Sequence, residues 1–275
     1  YYAMALLYMP GQTQTLHAVL QAFNQRFVLP ALAQTQGVLE TTPRHAAAAR
    51  KLRIGYLSSD FREHPVARNL LPVLQQHDRS RFKIFLYASI GAPDAMTAQL
   101  QQACDHFQLV SQMDDARLAK QMREQGLDVL VLLAWRFDTN RPLVAAYKPA
   151  PVCVSYHDPG TSGMASIQYL IADRELAPKS SARDFSERVL RLPNYYLHLP
   201  PANAPPVTPL PSLEKNGLCF ASFNNPAKLQ PSLIALWAEL LKHLPDARLV
   251  LKYQNIFADA YVREPLAAQF AALGI

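Results

Sequence analysis

Between residues 51 and 198 short apolar runs alternate with amphipathic stretches, the pattern of parallel strands joined by helical crossovers in a doubly wound sheet. Strands are expected at 53–57, 83–87, 107–110, 129–133, 152–156, 169–172 and 189–192, with helices around 70–76, 95–104 and 116–124. Each crossover is long enough for a helix to pack back on the sheet with right-handed sense. Ahead of this region Leu16, Val19, Leu20, Phe23 and Phe27 fall at helical spacing, and Met9-Pro10-Gly11 makes a turn, so residues 1–48 read as two or so helices. The stretch 41–50 holds Pro43 and a run of alanines without apolar periodicity, which suits a linker.

The segment from Leu199 to Pro211 is crowded with prolines, which disfavour helix and ladder pairing alike and mark a boundary at about 199–216. Behind it a second α/β unit begins, with strands at 217–223 and 247–251 and helices at 231–243 and 261–273. Leu233, Ile234, Trp237, Leu240 and Leu241 lie on one face of the first of these helices. Two βα units are too few for an independent domain. Together with a first residue that is not Met, this leads us to expect a piece of a longer protein, cut at both ends.

Half of the 275 residues are apolar, which is enough for a real core and excludes disorder. The longest apolar run, Val129 to Trp135, is far too short to span a bilayer, and nothing at the start of the chain reads as a signal peptide. Cys104, Cys153 and Cys219 lie far apart without a CxxC pair, so a reducing compartment is expected, and the cytoplasm is the expected location. The net charge of +6 comes from scattered Lys and Arg rather than a basic block, which argues against nucleic acid as a partner. No His, Asp or Glu pair has metal-ligand spacing on a helix.

Open parallel sheets bind ligands beyond the carboxyl ends of their strands, so the loops there carry the candidate chemistry. In the loop 58–65 His64 is either an acid/base group or sugar ligand, or a histidine lining a helix start. Only Gly55 is present near that loop, and it lies inside the strand, so the dinucleotide fingerprint is missing. The loop 157–163 offers glycines and hydroxyls suited to a hydroxyl-rich or phosphorylated ligand, a plain turn being the blander alternative. In the loop 222–231 Lys228 precedes a helix start and either faces a diphosphate or is an ordinary solvated lysine. The loop 134–141, with Trp135 and Arg136, is bulky and charged where the others are small.

These segments together resemble the catalytic region of the O-GlcNAc transferase and SPINDLY family, bacterial-type members included. The likeness lies in Arg53-Ile54-Gly55-Tyr56-Leu57-Ser58-Ser59-Asp60-Phe61-Arg62-Glu63-His64-Pro65, Lys148-Pro149-Ala150-Pro151-Val152, Pro159-Gly160-Thr161-Ser162-Gly163 and Phe223-Asn224-Asn225-Pro226-Ala227-Lys228. Trp237 to Lys252 adds to it, and more weakly Leu6 to Phe27. The resemblance implies an α/β fold of GT-B type, with two Rossmann-like domains, the second truncated, behind a helical, TPR-like segment. Residues 1–48 would end the TPR-like region, 51–198 form the N-terminal catalytic domain, 199–216 the linker, and 217–275 the start of the nucleotide-sugar domain.

The family further implies an inverting, metal-independent transfer of a sugar from a nucleotide sugar to Ser or Thr of a protein, without a cofactor, nucleic acid or membrane. His64 and Lys228 would be catalytic. Lys228 would bind the donor diphosphate, Asn225 would lie beside the nucleotide, and Pro159, Gly160, Thr161 and Ser162 would contact the sugar. UDP-GlcNAc is the first expectation for the donor. GDP-fucose is the second, because Ser222 to Lys228 and Pro205 to Pro211 resemble the SPINDLY branch. A diverged protein-binding module of the same fold is the third reading, because the chain departs from the family pattern at Leu132, Trp135, Arg136, Phe137, His157 and Asp158.

Overall fold

The computed structural model describes residues 2–35, 50–137, 139–158, 160–195, 204–210 and 217–275. They fall into two compact units, Tyr1–Pro200 and Pro201–Ile275. In the first, seven strands form one sheet: β1 (Leu52–Ser58), β2 (Phe82–Ala88), β3 (His106–Leu109), β4 (Val129–Leu133), β5 (Val152–Tyr156), β6 (Tyr169–Asp173) and β7 (Arg188–Leu192). Every pairing is parallel, and the order is β3-β2-β1-β4-β5-β6-β7. Each strand lies within one residue of the bounds read from the apolar pattern.

Both faces of the sheet are covered, which is why β4 reads Val-Leu-Val-Leu-Leu without polar alternation. Leu130 and Leu132 point into one core, Val131 and Leu133 into the other. The second core is closed by α4 (Pro65–Gln76) and α5 (Ala95–Gln102), through Leu70, Leu74 and Leu100. The first is closed by α6 (Asp115–Glu124) and by the N-terminal helices α1 (Tyr2–Leu7), α2 (Thr13–Phe23) and α3 (Leu29–Ala33). Leu16 and Leu20 of α2 are buried in that same cluster. The N-terminal helices are therefore part of the sheet's own core rather than an appendage to it.

The order reverses between β1 and β4, so the connections leaving these adjacent strands run in opposite directions and open a crevice at their carboxyl ends. Asp94 and α5 brace the loop that leaves β1. Asp94 caps the helix through the Thr97 N–H at 2.9 Å and accepts the Glu63 N–H at 2.6 Å, while the Thr97 hydroxyl donates to the Phe61 carbonyl.

In the second unit β8 (Cys219–Ser222) and β9 (Arg248–Leu251) form a separate two-stranded parallel sheet. With it go α7 (Pro231–His243) and α8 (Ala260–Ala272). Residues 204–210, at the start of this unit, have no regular secondary structure and are exposed. No helix among the described residues is long and apolar enough to cross a membrane.

Gly163 joins the N-terminal helices to the sheet. Its φ is +64°, and a Cβ there would lie 2.6 Å from Leu20 Cβ. Gly163→Ala is therefore expected to destabilise the chain by about 2–4 kcal/mol, from left-handed strain plus overpacking. Gly91→Ala, where a Cβ meets nothing within 4 Å, is expected to be near neutral. Urea midpoints of the two variants measure the contrast.

Candidate functional site

At the crevice Asp60 is fully buried and forms the centre of a polar cluster. It receives bonds from the hydroxyls of Ser58 at 3.3 Å and Ser59 at 3.5 Å and from Asn140 Nδ2 at 3.2 Å. Asn140 Oδ1 in turn accepts the Ser59 N–H at 2.7 Å, and its Nδ2 reaches the carbonyls of Ala134 and Phe137. The loop after β4 is thereby tied to the loop after β1. His64 stands at the rim as the N-cap of α4, with Nδ1 accepting the Val66 N–H at 3.3 Å and lying 3.8 Å from Asp60 Oδ1. A neutral imidazole that accepts at Nδ1 carries its proton on Nε2, so this histidine presents a hydrogen-bond donor. Of the two sequence alternatives for His64 the structure shows the helix-start one directly, and the side chain is partly exposed.

The loop after β5 is built differently from what its composition suggests. Gly160, Thr161 and Ser162 are brought together beside Glu187, the residue before β7, and Pro159 lies outside the described residues. Thr161 and Ser162 are buried, with hydroxyls engaged within the protein. The Thr161 hydroxyl donates to Glu187 Oε2 at 2.8 Å and accepts the Ser186 N–H at 3.0 Å. The Ser162 N–H and hydroxyl both go to Glu187 Oε1. These two residues shape the loop, and Gly160 is the one left half-exposed at its turn. Sequence reasoning assigned no role to Asn140 or Glu187, because each acts on residues far away along the chain.

Between these loops Arg136, also from the loop after β4, is buried against Asp158, Nε to Oδ2 3.3 Å. It donates to the Thr161 carbonyl at 2.5 Å and lies 4.8 Å over the Trp135 ring. Four of the six departures from the family pattern therefore meet in one small region: Trp135, Arg136, His157 and Asp158.

In the second unit Asn225 caps a short 3₁₀ turn, Pro226–Lys228, by accepting the Ala227 N–H at 3.0 Å. Lys228 is exposed, its ammonium 3.4 Å from Asn224 Oδ1. The turn leads into α7, whose N-cap Gln230 makes no side-chain capping bond to the helix. The positive end of a helix beside a lysine suits an anion. Among the described residues no three His, Cys, Asp or Glu side chains are grouped to hold a metal.

The fold is that of a GT-B glycosyltransferase. A family model, Glycosyl transferase family 41, matches residues 32–198, and the chain belongs to that family. It is 31% identical over 232 residues to the probable UDP-N-acetylglucosamine--peptide N-acetylglucosaminyltransferase SPINDLY of Arabidopsis thaliana, covering 82% of this chain and 25% of that protein. The SEC protein of the same plant, with the same probable activity in its name, is 30% identical over 255 residues, covering 89% of this chain and 26% of its own length. The chain thus spans about a quarter of the curated relatives it matches. A solved lysine-to-methionine mutant of the Thermobaculum terrenum O-GlcNAc transferase superposes with a TM-score of 0.90 at 31% identity, covering 99% of this chain and 51% of that one.

Burial pushes the Asp158 carboxyl above the usual carboxylate range, the Arg136 guanidinium pulling it back only in part. A raised native value means the folded state holds this proton more tightly than the unfolded chain. Stability from Asp158 therefore falls as pH rises from the ordinary carboxylate value through the raised one. Urea unfolding should show wild type losing stability relative to Asp158→Asn across that window; a difference that is flat or grows in wild type's favour would refute the assignment.

Proposed function

We propose that the chain is the catalytic part of an inverting, metal-independent glycosyltransferase that moves a sugar, GlcNAc in the first place, from a nucleotide sugar to Ser or Thr of a protein. The observation that carries this reading is the likeness to peptide N-acetylglucosaminyltransferases across both units, together with the placement of Lys228. As the donor's glycosidic bond breaks, negative charge grows on the departing nucleoside diphosphate. An ammonium on the turn that leads into a helix N-terminus answers that charge without needing a metal. His64, with its proton on Nε2, serves as a donor to a sugar or acceptor oxygen rather than as a ready base in this state. Inversion then follows when the acceptor hydroxyl attacks the anomeric carbon as the bond to the diphosphate oxygen breaks on the opposite face, the hydroxyl proton passing to the departing diphosphate.

GDP-fucose is the second donor reading, favoured by the likeness of Ser222 to Lys228 and the proline-rich stretch to the SPINDLY branch. A protein-binding module without transfer is the third. Transfer assays on the full-length protein, with UDP-GlcNAc and GDP-fucose offered in parallel to a peptide library, separate the three. Lys228→Ala is expected to lower turnover by about 10²–10³ while leaving the melting temperature nearly unchanged, since the side chain is exposed. Undiminished turnover in this variant would remove Lys228 from the mechanism, and no transfer from either donor by wild type would leave the binding-module reading.

A further inference from the structure

A guanidinium that is 3% exposed is costly to bury, and a buried ion pair is often no more stabilising than well-packed apolar residues. Arg136 is therefore a poor choice if stability were its only effect. Its polar contacts converge on one loop, that after β5. Nε faces Asp158 at 3.3 Å, and Asp158 Oδ1 accepts the Gly160 N–H at 3.3 Å. A terminal nitrogen holds the Thr161 carbonyl, and a Cβ added to Gly160 would fall 2.8 Å from the other. The guanidinium is in turn backed by the Trp135 ring. On the far side Glu187 holds the Thr161 hydroxyl and the Ser162 N–H. The loop 158–163 is thus clamped between a cation reaching from the end of β4 and an anion reaching from the start of β7.

Backbone geometry makes this clamp possible. Ala134 and His157 each adopt a left-handed conformation, φ 46° and 58°, immediately before the Trp135-Arg136 and Asp158 segments. Strands β4 and β5 are neighbours, so both chains turn sharply at the same level of the sheet and bring Arg136 and Asp158 together. For non-glycine residues such turns are strained and persist only where surrounding contacts fix them.

We infer that Arg136 is a positioning residue for sugar transfer: through Thr161 and Gly160 it fixes the loop that meets the sugar, without touching the donor itself. This rests on the transferase reading above. Misplacing a sugar by a fraction of an ångström slows the chemical step while leaving binding of the nucleotide part largely intact.

The test uses the full-length protein and the double variant Arg136→Met, Asp158→Asn, which removes both charges of the Arg136–Asp158 pair together. Hydrogen exchange of amides 160–164 is expected to quicken at least about tenfold, and kcat to fall about 10- to 100-fold with donor KM within about twofold. Arg136→Lys, which keeps the charge but loses the fork that reaches both Asp158 and Thr161, should show the same pattern more weakly. If the double variant does not fold, the lysine variant decides alone. Wild-type exchange in the folded variants overturns the positioning role, as does faster exchange with unchanged kcat. If wild type transfers no sugar the transferase reading fails, and the exchange measurement still settles whether Arg136 holds the loop.

Discussion

The ligand-facing edge of the first unit depends on one short loop, residues 134–141, inserted where the strand order reverses. Asn140 ties it to the β1 side, reaching the Ser59 N–H and Asp60, and Arg136 ties it to the β5 side, reaching Asp158 and Thr161. Without those bonds three loops would leave three strands independently, each free to choose among many backbone states at a cost of about 1–2 kcal/mol per residue to order. A half-buried amide and a buried guanidinium, both directional, turn them into a single surface. His64 stands on that surface.

Much of the fold was legible because its signals are local. The continuous apolar reading of β4 follows from a sheet covered on both sides, and the long amphipathic crossovers demand parallel pairing. The loops at the strand ends were legible by position, which is how His64, Gly160, Asn225 and Lys228 came to notice. Their detailed roles were harder to read. Thr161 and Ser162 looked like ligand groups because hydroxyls in a glycine-rich turn usually face solvent, yet both hydroxyls bond Glu187, 25 or more positions away. Asn140 reaches back 81 positions to Ser59. No periodicity or local motif encodes such pairings; they exist only once the sheet has brought its strand ends together.

The departures at Trp135, Arg136, His157 and Asp158 are also easier to understand in three dimensions than in sequence. Read singly, each is an unexplained loss of a family residue. Read in space, a buried cation and a buried anion stand together, each making the other tolerable, and an aromatic ring lies behind the cation. Neither ion would be acceptable alone at such a site.

The seating of α2 on the sheet has an architectural consequence. Leu20 occupies the space a side chain on Gly163 would need, and Asn24 receives the Ala165 N–H at 2.9 Å, so the helices before the sheet are latched directly to the end of the loop that follows β5. A module boundary drawn from the sequence near residue 50 would cut through a shared core and strip the floor from under that loop. The N-terminal helices are thus not carried on a swivel but on a mortised joint, and a bend or load in them would reach the sheet through Gly163 and Ala165 among other contacts.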